Sequence, residues 1–133
     1  MKNMIFLDTG VISLLHTKHE ETLKEIKTKK KNSYSFISSE LNYIELFNHL
    51  CRSKGKINAQ IIMENIRNAN TIDFIPVEKN VSLLAGELKC KYNFLSMVDS
   101  VIVAEALSKK IPLYTTETHF SDIDKLKAKK IKY

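Results

Sequence analysis

A short apolar run near the start of the chain, Met-Ile-Phe-Leu at positions 4–7, ends on the carboxylate of Asp8. Such a run is long enough for a buried strand and far too short for a membrane span, and Thr9 and Gly10 break it. The pattern therefore predicts a central β-strand with Asp8 at its C-terminal tip. In open α/β sheets, ligands bind in the crevice beyond the carboxyl ends of the strands. Two readings of Asp8 are open: a functional group at that crevice, or an N-cap of the following helix.

Strand patterns alternate with helical patterns along the rest of the chain. Further strands are predicted at 34–37, 71–77 and 111–115, and Pro76 indicates that the strand carrying it ends there or lies at a sheet edge. Helices are predicted at 11–15, 17–31, 40–52, 57–69, 79–91, 98–107 and 121–129, and a last edge strand at 131–133. This alternation favours a parallel sheet that is covered by helices on both faces.

Helical spacing identifies candidate core residues. The helix at 40–52 carries a stripe at the i, i+3, i+4 and i+7 positions, formed by Tyr43, Leu46, Phe47 and Leu50. Glu45 lies off this stripe, so periodicity alone predicts an ordinary solvated glutamate. The core candidates of the helix at 57–69 are Ile61, Ile62 and Ile66.

Composition restricts the class of protein. The 133 residues fit one domain spanning 1–133, and a hydrophobic content of 44% is that of a globular protein. The 21 Lys and Arg residues exceed the 15 Asp and Glu residues by six, which favours a polyanionic partner such as nucleic acid or serves solubility. No apolar run is long enough for a membrane helix or a signal peptide. Cys51 and Cys90 are predicted to be small core residues in a reducing cytoplasm.

Three carboxylates are expected at the same edge of the predicted sheet. Asp8 ends the first strand, Glu117 follows the last long strand, and Asp99 opens the uniformly apolar helix before that strand. Asp99 also lies three residues after Ser96, which matches a helix capping box. Clustered carboxylates repel each other unless a cation neutralises them, and hard oxygen ligands suit Mg²⁺ or Mn²⁺. Glu45 joins this group only if its helix begins at the same edge.

Four segments carry a resemblance to a known family. They are DTGVI at 8–12, YIEL at 43–46, MVDSVIVA at 97–104 and LYTTE at 113–117. In order and spacing they resemble the acid motifs of PIN-domain ribonucleases, and within these the chain is similar to the small VapC-type toxins of toxin–antitoxin pairs. The resemblance covers essentially the whole chain. It implies a three-layer α/β/α sandwich with a mostly parallel sheet, Mg²⁺- or Mn²⁺-dependent cleavage of single-stranded RNA, an antitoxin protein as partner, and a cytoplasmic homodimer.

The resemblance also implies roles for individual residues. Asp8 and Asp99 match direct metal ligands, and Glu45 matches a ligand or a base that orients the attacking water. Glu117 matches an outer metal ligand. Thr115 matches a threonine whose hydroxyl holds a carboxylate or a water molecule.

Two positions depart from the family pattern. Glu117 stands where an aspartate is usual, and Gly10 stands where a small polar residue is common. Asp122 could substitute for that aspartate, but a role at the start of a helix is favoured for it. The first departure keeps a second hypothesis open, a non-catalytic PIN-like module that binds RNA or protein. A receiver-like phosphoacceptor would need paired acids at the first strand and a lysine at a later strand tip, and neither is evident. The four histidines form no zinc motif, and His119 is interpreted as a surface or packing residue.

Overall fold

The computed structural model describes residues 3–133, and its sheet is parallel throughout. The strands are β1 (Met4–Leu7), β2 (Ser35–Ser39), β3 (Ile72–Ile75), β4 (Leu113–Thr115) and β5 (Ala128–Lys130), arranged in the order β3-β2-β1-β4-β5. Because β1 lies at the centre, Asp8 emerges in the middle of the carboxyl edge. Phe6 of β1 pairs with Leu113 of β4, so the tips of these two strands are neighbours.

Helices cover both faces of the sheet. They are α1 (Thr9–His16), α2 (Glu20–Lys31), α3 (Glu40–Lys54), α4 (Lys56–Asn68), α5 (Lys79–Lys91) and α6 (Met97–Lys109). Side chains alternate along a strand, so Ile5 and Leu7 pack with residues of α1 to α4, whereas Phe6 packs with residues of α5 and α6. The predicted three-layer α/β/α sandwich is confirmed, with two apolar cores separated by the sheet.

Most element positions agree with the periodicity. The helix predicted at 79–91 is α5 with the same bounds, and β3 is an edge strand that ends directly before Pro76. One core prediction is wrong, since Ile61 is 53% exposed while Ala59 and Met63 are buried. Three isoleucines at 61, 62 and 66 do not share one face of a helix, and α4 turns the 59–63 stripe inward.

The lysine-rich C-terminal segment corrects the prediction of a helix at 121–129. A short 3₁₀ turn covers His119–Asp122, and β5 then pairs with β4, with Thr115 opposite Lys130. Lys125 adopts a left-handed backbone conformation with φ of 65°, which interrupts a right-handed helix. The strand predicted at 131–133 is therefore displaced by its full length, and the last strand is Ala128–Lys130. Its backbone hydrogen bonds to β4 and the burial of Ile131 outweigh the local helix preference of lysine.

The two cysteines differ in their burial. Both thiols are free, but Cys51 is half-buried and Cys90 is exposed, so Cys90 is not the core residue that was predicted. Across residues 3–133, no helix has the length and apolar character needed to cross a membrane.

A fully buried carboxylate lies in the middle of α6. Glu105 accepts a hydrogen bond from the Lys109 ammonium over 2.6 Å through Oε1. Its Oε2 has no hydrogen-bond partner among the described residues. A buried charge that depends on a single partner is costly when that partner is removed.

Lys109→Met is therefore expected to lower the free energy of unfolding by about 2 kcal/mol, since it leaves Glu105 buried and unpaired. The value is below the range of about 3–5 kcal/mol for fully buried pairs because the Lys109 side chain is 21% exposed. Urea denaturation at pH 7 measures the effect. The double variant Glu105→Met/Lys109→Met should regain most of the lost stability, and equal stabilities of Lys109→Met and the unmodified chain would contradict the expectation.

Candidate active site at the carboxyl edge of the sheet

Asp8 occupies the tip of the central strand and caps the next helix. Its Oδ1 accepts a hydrogen bond from the Val11 N–H over 3.0 Å, which is the N-cap interaction of α1. Its Oδ2 accepts a hydrogen bond from the Thr115 hydroxyl. Both readings of Asp8 are therefore compatible, because the capping carboxylate also faces the tip of β4.

The environment of Asp8 disfavours its charged form. The pKa of Asp8 is raised from 3.8 to about 6, mainly by burial and to a smaller extent by the nearby Glu117 carboxylate. Hydrogen bonds from the Thr115 hydroxyl and from the Val11 and Thr116 backbone act in the opposite direction. Asp8 is consequently a buried carboxylate whose ionisation a neighbouring cation would favour.

Thr115 links two of the predicted site residues. It is the last residue of β4, and its side chain donates to Asp8, which lies 107 positions earlier in the chain. Its hydroxyl oxygen accepts a hydrogen bond from the Glu117 N–H over 3.0 Å. Thr115 thus orients the Asp8 carboxylate and positions the backbone that carries Glu117.

Glu45 reaches the same edge because α3 begins at the tip of β2. Ser39 caps this helix, and Asn42 completes a capping box with it. Glu45, one turn further on, is exposed and accepts a hydrogen bond from the Thr9 hydroxyl. The Asn42 amide donates to the same Thr9 oxygen over 3.0 Å. The solvated glutamate that periodicity predicts is therefore tied to the residue next to Asp8.

Asp99 and Glu117 are connected through a histidine that the sequence interpretation did not place in the site. Asp99 lies in the first turn of α6, where its N–H donates to Ser96 over 3.0 Å. His119 lies with Nε2 3.3 Å from Asp99 Oδ2 and with Nδ1 3.6 Å from Glu117 Oε2. It also packs on Phe120, as expected of a packing residue. The available signal was its position two residues after Glu117, just beyond a strand tip.

The carboxylates of the candidate site suit a divalent cation, although they do not meet around one point in this arrangement. Among residues 3–133, no three acid, histidine or cysteine side chains form a cluster that could hold a metal ion. The carboxylates are instead engaged by hydroxyl and imidazole groups. Their oxygens are the ligands that Mg²⁺ and Mn²⁺ prefer, and the raised pKa of Asp8 indicates a carboxylate that lacks a counter-charge. The residues therefore fit a hard cation by donor chemistry.

The structure explains Gly10 and shows which acid occupies the last position of the family pattern. A Cβ atom at Gly10 would lie 2.2 Å from Thr116 Oγ1 and 3.0 Å from its Cγ2, so a larger residue would displace Thr116. Asp122 is exposed in the 3₁₀ turn, and its side chain takes part in none of the contacts described above. Glu117, rather than Asp122, is the acid that lies near Asp8 and His119.

The fold and the acids at its carboxyl edge define a class of protein. The family model of the PIN domain matches residues 5–126. The chain therefore belongs to the PIN domain family. No curated protein matches it in sequence.

Solved structures agree with this fold. The chain is similar to VapBC2 from Rickettsia felis, bound to a fragment of promoter DNA, with a TM-score of 0.81 and 19% identity over 96% of this chain and 98% of the other. It is also similar to DNA-bound VapBC from Salmonella typhimurium, with a TM-score of 0.76 and 17% identity over 98% of each chain. VapC20 from Mycobacterium tuberculosis, a toxin that cleaves the sarcin–ricin loop, matches with a TM-score of 0.68 and 18% identity over 92% of this chain and 98% of the other.

Proposed function

We propose that this chain is a metal-dependent endoribonuclease that hydrolyses phosphodiester bonds of single-stranded RNA, and that it is the toxin of a VapBC-type toxin–antitoxin pair. The observation that carries the proposal is the set of four acids from distant parts of the chain that lie at one edge of the sheet. They are Asp8, Glu45, Asp99 and Glu117. The family membership and the net charge of +6 support an activity on a polyanion.

We assign Mg²⁺ or Mn²⁺ to these acids, with Asp8 and Asp99 as direct ligands and Glu117 as an outer ligand. When bound, such a cation lowers the pKa of a coordinated water and stabilises charge on the phosphoryl oxygens. Glu45 is a further ligand or the base that accepts a proton from the attacking water. Thr115 keeps the Asp8 carboxylate oriented toward the cleft through its hydroxyl.

The proposed partner is an antitoxin, as the similarity to VapBC complexes suggests. The proposed site of action is the cytoplasm. A homodimer is also proposed from the family resemblance. A dimer surface on the helices that directly follow β1, α1 and α2, would require large exposed apolar side chains there. None of the large exposed apolar side chains in residues 3–133 lies on α1 or α2, since they occur on α3 to α6, on the turn before α6 and at Tyr133.

A non-catalytic module that binds RNA or protein is the second candidate. It is favoured by Glu117 in place of aspartate and by the engagement of Glu117 and Asp99 with His119. Such a module would bind RNA without cutting it in any divalent cation.

The test of the proposal is cleavage of end-labelled single-stranded RNA by the purified chain in Mn²⁺, Mg²⁺ or EDTA. We expect internal cuts that require the metal. Binding without cleavage under all three conditions would favour the second candidate, and Glu117→Asp would then be the variant to compare.

One lysine of β5 lies near the carboxyl edge of the sheet, in register with the last residue of β4. Lys130 is exposed and pairs in register with Thr115, so it lies one strand away from the hydroxyl that contacts Asp8. A cation at this position can contact a phosphate beside the scissile bond.

Lys130→Ala is expected to weaken RNA binding roughly 3- to 10-fold at low salt and to reduce the slope of log K against log salt by about 0.7. Filter binding over a salt series measures both. Lys31→Ala is the control with the same charge change, because Lys31 ends α2 close to the start of β2, at the opposite edge of the sheet. Equal effects of the two substitutions would contradict a phosphate contact at Lys130.

A further inference from the structure

An exposed aromatic side chain lies beside the acids. Phe94, in the turn between α5 and α6, is 51% exposed. Its ring packs edge-on against His119 with centroids 5.6 Å apart. The same imidazole lies 3.3 Å from the Asp99 carboxylate, so a single ring separates Phe94 from the proposed ligands.

The turn that carries Phe94 is held by several contacts. The Leu95 N–H donates to the Tyr92 carbonyl over 3.0 Å, and the Leu95 carbonyl accepts from the Lys89 ammonium over 2.7 Å. The Leu95 side chain is buried, and the Tyr92 ring packs against Phe94 with centroids 6.0 Å apart. Phe94 is therefore presented to solvent by an anchored turn, and little conformational entropy is lost when a ligand contacts it.

The exposure of Phe94 is not required by the core. Leu95 fills the apolar interior at this turn, so the exposed half of the Phe94 ring adds nothing to the buried core. Aromatic rings next to sites that bind single-stranded nucleic acid stack with bases, because every base has a π-face. With the scissile phosphate at the carboxylates, the base of an adjacent nucleotide lies within reach of a ring one imidazole away.

We propose that Phe94 is a stacking platform for a nucleobase that flanks the scissile phosphate. The inference rests on the proposed ribonuclease function and adds to it a base-binding position next to the acids. Phe94 holds the substrate and takes no part in proton transfer. Because stacking tolerates any base, the platform fixes the path of the strand and does not select its sequence.

The test compares Phe94→Ala, Phe94→Leu and Phe94→Tyr by equilibrium binding of a single-stranded RNA oligonucleotide and by KM and kcat for its cleavage. Phe94→Ala and Phe94→Leu should weaken binding and raise KM about 5- to 100-fold with little change in kcat, whereas Phe94→Tyr should retain both values. Leu83→Ala, which shortens an exposed apolar side chain two turns before the end of α5, is the matched control and should bind as the unmodified chain does.

A series of oligonucleotides with one abasic nucleotide at successive positions separates stacking from support of His119. At the contacted position, the unmodified chain and Phe94→Ala should bind with equal affinity. A loss in Phe94→Ala that persists on every abasic substrate, or no loss on intact RNA, would overturn the stacking role while leaving the nuclease proposal in place. If the unmodified chain neither binds nor cuts RNA, both proposals are wrong.

Discussion

Replacing Asp99 by asparagine is expected to slow cleavage of single-stranded RNA at least about 100-fold, as is replacing Asp8. Asparagine keeps the size of the side chain and removes the charge with which the proposed site holds a cation. The Ser96 hydroxyl oxygen caps α6 by accepting a hydrogen bond from the backbone N–H of residue 99, so this cap is preserved in the variant. Initial rates on end-labelled RNA in Mn²⁺ measure the loss.

The control for charge is Asp73→Asn. Asp73 is exposed on β3, the edge strand farthest from β4 and β5, so its replacement changes the net charge equally without touching the acids. It should cleave RNA at a rate within about twofold of the unmodified chain, as expected of a surface substitution. If Asp99→Asn and Asp73→Asn cleave at the same rate, the assignment of the site is wrong.

Asp8→Asn has a second expected effect, a gain of about 3 kcal/mol in the free energy of unfolding at pH 7 in EDTA. The pKa of Asp8 is 3.8 in its ordinary state and about 6 in the folded chain, a difference of about two units at about 1.4 kcal/mol each. Asparagine has no charge to bury, and it caps helices as well as aspartate does. We therefore expect the Asp8 carboxylate, which a cation can bind, to lower the free energy of unfolding when no cation is present.

The gain should depend on pH in a defined direction. Well below pH 3.8, Asp8 is protonated in both the folded and the unfolded chain, so the two proteins should be equally stable. Between about pH 4 and pH 6 only the unfolded chain loses this proton, and the unmodified protein becomes steadily less stable relative to Asp8→Asn. Above about pH 6 the difference is constant. Urea denaturation of both proteins in EDTA at pH 4, 5, 6 and 7 measures this dependence on pH.

Asp8→Ala serves as the comparison, because it also removes the buried charge but loses the cap contact with Val11. It should be less stable than Asp8→Asn by about 1 kcal/mol at every pH. A difference between Asp8→Asn and the unmodified chain that does not vary with pH would contradict the role of ionisation.

Local sequence signals were sufficient where they agreed with the packing. The apolar run before Asp8 is a central strand, the 79–91 pattern is a helix with those bounds, and Ser96 caps α6. They failed at the lysine-rich segment near 121–129, where pairing with β4 prevails over helix preference. The position of Ile61 also depended on which side of α4 faces the sheet, and a cluster of three isoleucines does not decide this.

The arrangement of the candidate site was also predictable from the sequence only in part. The alternation of strands and helices was enough to bring Asp8, Asp99 and Glu117 to one edge, since parallel strands end together. Only the folded chain decides that the group held by Thr115 is the Asp8 carboxylate, that Thr9 holds Glu45 and that His119 lies between Asp99 and Glu117. These contacts, and the raised pKa that burial produces, depend on strand order and on side chains up to 107 positions apart. Local preferences act over a few residues, so they carry no information about such distant neighbours.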